Sequence, residues 1–212
     1  MTAVTGIDHN AFSYYAVTEA EINGLACYIS RSGWTGERGF EIYSKDDDFN
    51  GEALWQYLLC EGAPFQLMAS DVTSMHIRRL EAGILDYGTD IDQSLNPFEL
   101  GLGQFVDLSK DDFIGRRALL ETDRRATRVM GLRSHEVRPI RGDCLMNEAG
   151  DSLGAITAGA WSPSLDCGIG IIRLDRPIDP DVALRLRTET GNFQAELCPL
   201  PFYDPQKRIP RL

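Results

Sequence analysis

Hydrophobic and polar positions alternate in short runs at both ends of the chain, with two helical stretches between. Gly24–Arg31 is an apolar run rich in strand formers, and Gly39–Tyr43 sets Phe40 and Ile42 on one face and Glu41 on the other. The connection Ser32–Arg38 holds Gly33 and Gly36, so the two strands read as a hairpin with a long, irregular loop. Asp47–Cys60 then takes helical spacing through Phe49, Ala53, Leu54, Tyr57 and Leu58, and Gly62 and Pro64 end it. A second helix is predicted over Met68–Glu81, capped by Ser70 and stopped at Gly83. Pro97–Val106 mixes glycines and proline with apolar residues and gives no clear element, and Gly115–Glu121 reads as a short helix.

Beyond Arg125 the period shortens to that of strands. Six are expected: Thr127–Arg133, Cys144–Asn147, Leu153–Ala158, Gly168–Leu174, Val182–Thr188 and Phe193–Cys198. Leu184 and Leu186 alternate with Arg185 and Arg187, as in a strand wetted on one face, and Thr190-Gly191-Asn192 turns the last two into a hairpin. So many short strands in so little chain point to a small barrel or sandwich. The fold class is therefore α+β, with domains at 1–125 and 126–212.

Charge supports the same division. Met1–Arg125 carries 10 of the 21 basic residues but 21 of the 32 acidic ones, leaving the remainder balanced. The net charge of -11 disfavours a nucleic-acid backbone as partner. No apolar run reaches the roughly 18–20 residues that cross a bilayer, and Met1–Phe12 has no signal-peptide pattern, so a cytoplasmic protein is expected. The cysteines, Cys27, Cys60, Cys144, Cys167 and Cys198, are widely spaced and read mostly as buried apolar residues. With only His9, His76 and His135 besides, no metal site is expected.

Two clusters could carry chemistry. In the hairpin loop, Trp34 beside Glu37 offers a flat apolar surface next to a carboxylate, which suits a planar heterocycle with several N–H donors. The same residues also suit a solvated turn with one packed tryptophan. In His76–Gly83, Arg78 or Arg79 could pair back along the helix towards Asp71, Ser74 or Met75, and Glu81 at the helix end calls for a cationic partner.

Taken in order, these stretches resemble the glycine-cleavage T-protein (aminomethyltransferase) family. The resemblance rests on Ser30–Ile42, Arg79-Leu80-Glu81-Ala82-Gly83, Tyr87-Gly88 with Asp90-Ile91, Asn96-Pro97-Phe98-Glu99 with Gly101-Leu102-Gly103, and Asp112–Arg116 with Ala118-Leu119. It continues through Pro139-Ile140-Arg141, Gly154–Gly159, Ser162–Leu165 and Leu200-Pro201-Phe202. The resemblance implies an incomplete folate-binding α+β domain followed by a C-terminal β-barrel that closes over a folate channel. It further implies tetrahydrofolate as cofactor, with Glu37 on the pterin ring and Trp34 and Arg79 as further cofactor-binding candidates. Arg79 and Glu81 look closer to motif scaffold than to direct ligands.

Three departures qualify that expectation. Met75 stands where T-proteins place a folate-contacting arginine, and Gln104 where they place a tryptophan. Both changes point towards a demethylase-type branch, such as the dimethylsulfoniopropionate demethylase. The third departure is that the chain matches the family's second half, without the aspartate used at the reacting nitrogen. No catalytic residue is therefore assigned. The expected function is one-carbon transfer by a C-terminal portion not competent alone, completed by an N-terminal half in trans or by self-association; the alternative is a non-catalytic folate-binding or regulatory module.

Overall fold

The computed structural model describes residues 1–8, 12–124, 127–178 and 183–212. The expected domain join at Arg125/Ala126, the first residue of the predicted strand Val182–Thr188, and His9 lie outside them. The chain divides into two compact units, Met1–Arg78 with Gln206–Leu212, and Arg79–Pro205.

The first unit is a three-stranded antiparallel sheet with helices. Its order is β1 (Val17–Ile22), β2 (Leu25–Ser30), β3 (Glu41–Ser44), so β2 is central and the other two are edges. The β2–β3 hairpin is as expected, with Ile29 opposite Ile42. β1 was not expected, although Thr18, Ala20 and Ile22 alternate with Glu19 and Glu21 in the required way. Ile22, Cys27 and Ile29 form the buried centre, and Phe40, Ile42, Leu54, Tyr57 and Leu58 pack on it.

A short helix α1 (Thr2–Thr5) precedes the sheet, and α2 (Gly51–Gly62) follows it. α2 begins four residues later than its apolar spacing suggests. Asn50, not one of the preceding aspartates, accepts a bond from Ala53 N at 2.9 Å and so sets the start. α3 (Val72–Glu81) is likewise shorter than predicted. Its cap is Asp71 rather than Ser70: Ser74 N donates to Asp71 Oδ1 at 2.7 Å, and a carboxylate at that end also meets the favourable pole of the helix. α3 ends where expected. Gly83 there has φ +61, and a Cβ would lie 2.8 Å from Pro201 Cα, so both backbone and space require glycine.

The second unit holds a closed six-stranded antiparallel barrel, in the order β4 (Val129–Ser134), β7 (Cys167–Leu174), β6 (Ser152–Ser162), β5 (Cys144–Met146), β8 (Leu184–Thr188), β9 (Gly191–Cys198). β4 pairs with β9 to close it, Leu132 opposite Leu197, which leaves no sheet edge. Leu132, Leu145, Ile156, Ile172, Leu174 and Leu186 fill the interior. Leu184 and Leu186 face inwards while Arg185 and Arg187 are exposed, as the alternation predicts.

Two details differ. The last hairpin turns on Glu189-Thr190, since Thr188 already pairs with Gly191. β6 runs on to Ser162 past a register shift between Ile156 and Ala158, and the small residues Ala158-Gly159-Ala160 hide that extension from a reading by propensity. The α4 helix (Arg116–Leu120) lies within the predicted short helix, and the unassigned Pro97–Val106 stretch contains a 3₁₀ turn at Gly103–Phe105. The α+β class and the barrel are thus both present. Cysteines are less uniformly buried than expected. Cys27 and Cys167 are buried, Cys144 and Cys198 are partly so, and Cys60 is exposed.

Candidate functional site

The loop between β2 and β3 is built from its base. Ser30 Oγ and Ser32 Oγ are 2.7 Å apart, and Ser32 Oγ donates to Glu41 Oε2 across the hairpin. Arg31, buried at the end of β2, donates to the carbonyl oxygens of Phe12, Pro210 and Leu212 within the same unit. This ties the base of the loop to two distant stretches of chain.

At the tip, Glu37 N donates to Thr35 Oγ1 at 3.3 Å, and Gly36 takes φ 71 between them. That bend leaves the Glu37 side chain 39% exposed, with its Oε1 in an ion pair with Arg78 NH2 from α3. Trp34 is half-buried three residues earlier. Arg78 therefore reaches the loop carboxylate from α3. Met75 and His76 are half-buried on the same helix.

Arg79 is different in kind. Its side chain is 1% exposed, and NH1 donates to Asp90 Oδ2 at 2.6 Å and to Ile84 O at 3.1 Å. It too reaches forward, beyond the turn at Gly83. Asp90 also accepts from Asp86 N at 2.9 Å and, through Oδ1, from Thr157 Oγ1 at 2.6 Å, at the irregularity in β6. Glu81 accepts from Ser162 Oγ at 2.5 Å and from Ser164 N at 3.3 Å and Oγ at 3.2 Å. These donors satisfy a buried carboxylate. The result is that the segment following α3 is pinned to the barrel strand β6 and its turn.

Neither Asp90, Thr157 nor the serine pair was identified from the sequence as a partner. Asn96 and Glu99 form a similar local lock: Asn96 Nδ2 donates to Glu99 Oε2 at 2.7 Å, and Phe98 N to Asn96 Oδ1 at 2.9 Å. Gln104 is exposed in the 3₁₀ turn. The barrel also carries a concavity of about 510 Å³ whose lining includes Arg133, His135, Glu136, Glu148, Arg185 and Glu196. Its charges are mixed, giving no surface of one sign. Among the described residues no group of three or more His, Cys, Asp or Glu is arranged to hold a metal ion, and no helix is long and apolar enough to cross a membrane.

A three-stranded sheet with helices, a glycine-bearing acidic loop and a closed six-stranded barrel define the class into which the comparisons place the chain. The family model described as GCVT N-terminal domain matches residues 1–110, and that for the glycine cleavage T-protein C-terminal barrel domain matches 127–204. The chain belongs to the glycine cleavage T-protein family. It is 33% identical to an aminomethyltransferase of Saccharopolyspora erythraea, over 96% of this chain and 56% of that protein. It is 32% identical to one from Halothermothrix orenii, over 94% and 56% respectively. The crystal structure of the glycine cleavage system aminomethyltransferase T from Bartonella henselae superposes with a TM-score of 0.78 at 25% identity, covering 94% of this chain and 55% of that one. The chain thus spans about half the length of the relatives it matches.

Proposed function

We propose that this chain supplies the folate-binding portion of a tetrahydrofolate-dependent one-carbon transferase, moving an aminomethyl or methyl group. The observation that carries the reading is Glu37: an ionisable carboxylate on a tight glycine-bearing bend, half-exposed, beside Trp34 and held in place by Arg78. A carboxylate accepts two parallel N–H donors from the edge of a pterin, and an indole offers its ring an apolar face. Arg79, expected as a cofactor residue through the family resemblance, contributes by holding the chain beyond α3; its burial against Asp90 supports that role.

Catalysis in this reading needs groups that position the one-carbon donor and stabilise charge at the reacting nitrogen. The matched relatives are nearly twice as long as the stretch they share with this chain, and we assign no catalytic residue within that stretch. Met75 and Gln104 favour a demethylase-type donor over the glycine-derived one, because one cationic and one aromatic contact are replaced. The same two substitutions favour, as a second reading, a module that binds folate or a related ligand and catalyses nothing.

Calorimetric titration with tetrahydrofolate and with 5-formyltetrahydrofolate tests the reading. Glu37→Gln, which keeps shape and loses charge, is expected to weaken binding about tenfold to a hundredfold. No heat with either ligand would overturn the proposal. Folate binding without turnover, even when the remaining part of a relative is supplied, would favour the non-catalytic module.

A further inference from the structure

A buried cation stands at the root of the loop that carries Glu37. Arg31, the residue after β2, is 4% exposed. Its NH1 donates to Phe12 O at 2.5 Å, and its NH2 to Pro210 O at 3.5 Å and to Leu212 O. Each of these acceptors is a main-chain carbonyl, and Arg31 Nε, also buried, has no partner among the described residues. Burying a charge against neutral acceptors carries a cost. A planar fork of five donors suits the position because it can join stretches of backbone that no sheet ladder connects.

Three stretches meet there. Arg31 opens the loop: its N–H donates to Ala16 O at 3.0 Å, and its carbonyl accepts from Tyr15 N at 2.9 Å. Phe40 closes the loop and stacks on Phe12, with ring centroids 6.3 Å apart and planes 6° from parallel. Residues 12–16 therefore grip both ends of the loop. The third stretch is 206–212, which groups with Met1–Arg78 although it follows the barrel in sequence. Its 3₁₀ turn, Ile209–Arg211, buries Pro210, so one carbonyl offered to Arg31 comes from an anchored residue.

We propose that Arg31 is a positioning residue for the Glu37 loop, and that 209–212 is the strap that fixes its guanidinium. With the strap seated, both ends of the loop are set before a ligand arrives, so Glu37 and Trp34 bind with less ordering cost. Arg31 is buried and acts through the loop, not on the ligand. The inference deepens the folate reading and rests on it for the identity of the ligand.

Trp34 can report on the loop directly, since Trp55→Phe and Trp161→Phe leave it the only tryptophan in the chain. In that background Arg31→Gln removes the fork, whereas Pro210→Gly loosens the strap and leaves both Arg31 and the loop sequence intact. Both variants are expected to red-shift Trp34 emission, to make it more readily quenched by acrylamide, and to weaken tetrahydrofolate binding about twofold to tenfold. Arg31→Lys keeps the charge but not the fork, and should fall between Arg31→Gln and the parent. Circular dichroism should show the Pro210→Gly chain folded at the temperature of the titration. Unchanged Trp34 emission or unchanged affinity in that folded chain would overturn the proposal, as would a loss of affinity that tracks unfolding. If the parent binds no folate, the folate reading fails alone, and the Trp34 signal still decides whether the strap holds the loop.

Discussion

Glu37 and Asp90 are carboxylates paired with neighbouring arginines of one helix, yet their surroundings give them opposite work. Asp90 is fully buried with Arg79 and accepts two further bonds, so it is fixed. Breaking a buried pair strands a charge, and Asp90→Ala is expected to cost about 3–5 kcal/mol in chemical denaturation. Glu37 and Arg78 remain in contact with water, where such a pair adds little to stability. Arg78→Ala is therefore expected to leave the unfolding midpoint nearly unchanged. Because the guanidinium orients the carboxylate, the same variant should weaken folate binding, and Arg78→Lys should recover part of it. Cys198 offers a third residue-level check. Burial pushes its thiol up to about 11, against 9.0 for an unperturbed group. It should react slowly with a disulfide reagent at pH 8 while the exposed Cys60 reacts first. Its folded-state pKa is raised, so its contribution to stability is complete below pH 9.0 and is lost as pH rises through about 11.

Helix starts and strand ends show where local pattern gives way to other forces. The six barrel strands and the β2–β3 hairpin could be read from their short strand-forming runs; β8 alternates in burial, whereas β7 is buried almost throughout. The starts of α2 and α3 could not, since apolar spacing says nothing about which polar side chain takes the first amides. At α3 the Ser74 amide bond holds the Asp71 carboxyl below its usual range. Helix α3 should therefore be best supported above pH 3.8 and lose that support as pH falls below it. Asp71→Ala should lower the melting temperature at neutral pH, and Asp71→Ser should restore most of it. At the other end of α3, Gly83→Ala meets both an unfavourable φ and the Pro201 backbone, and is expected to lower the melting temperature sharply. The loop's candidacy as a site was legible in Trp34, Gly36 and Glu37 together. Its partner Arg78 was visible only as one of two candidate arginines on its helix, because contact across forty positions leaves no local periodicity. The same holds for Glu81 with Ser162 and Ser164.

Across the whole chain, two divisions coexist. Contacts group Arg79–Pro205 together, because Asp90 and Glu81 tie the segment after α3 to β6 and its turn. The family models instead leave 111–126 between their two matches, which supports a domain join near Arg125/Ala126 as we propose it. Limited trypsin digestion should then cut first around Arg124, and a first cut within α3 would argue for the other division. The acidic excess of Met1–Arg125 belongs to this scale too, since it disfavours a nucleic-acid backbone as partner. The account as a whole turns on the loop carboxylate. Its most direct test is paired calorimetry of the wild-type chain and Glu37→Gln with tetrahydrofolate. Measurable wild-type binding that drops about tenfold or more in the variant is the predicted result; equal affinities for the two proteins would contradict it.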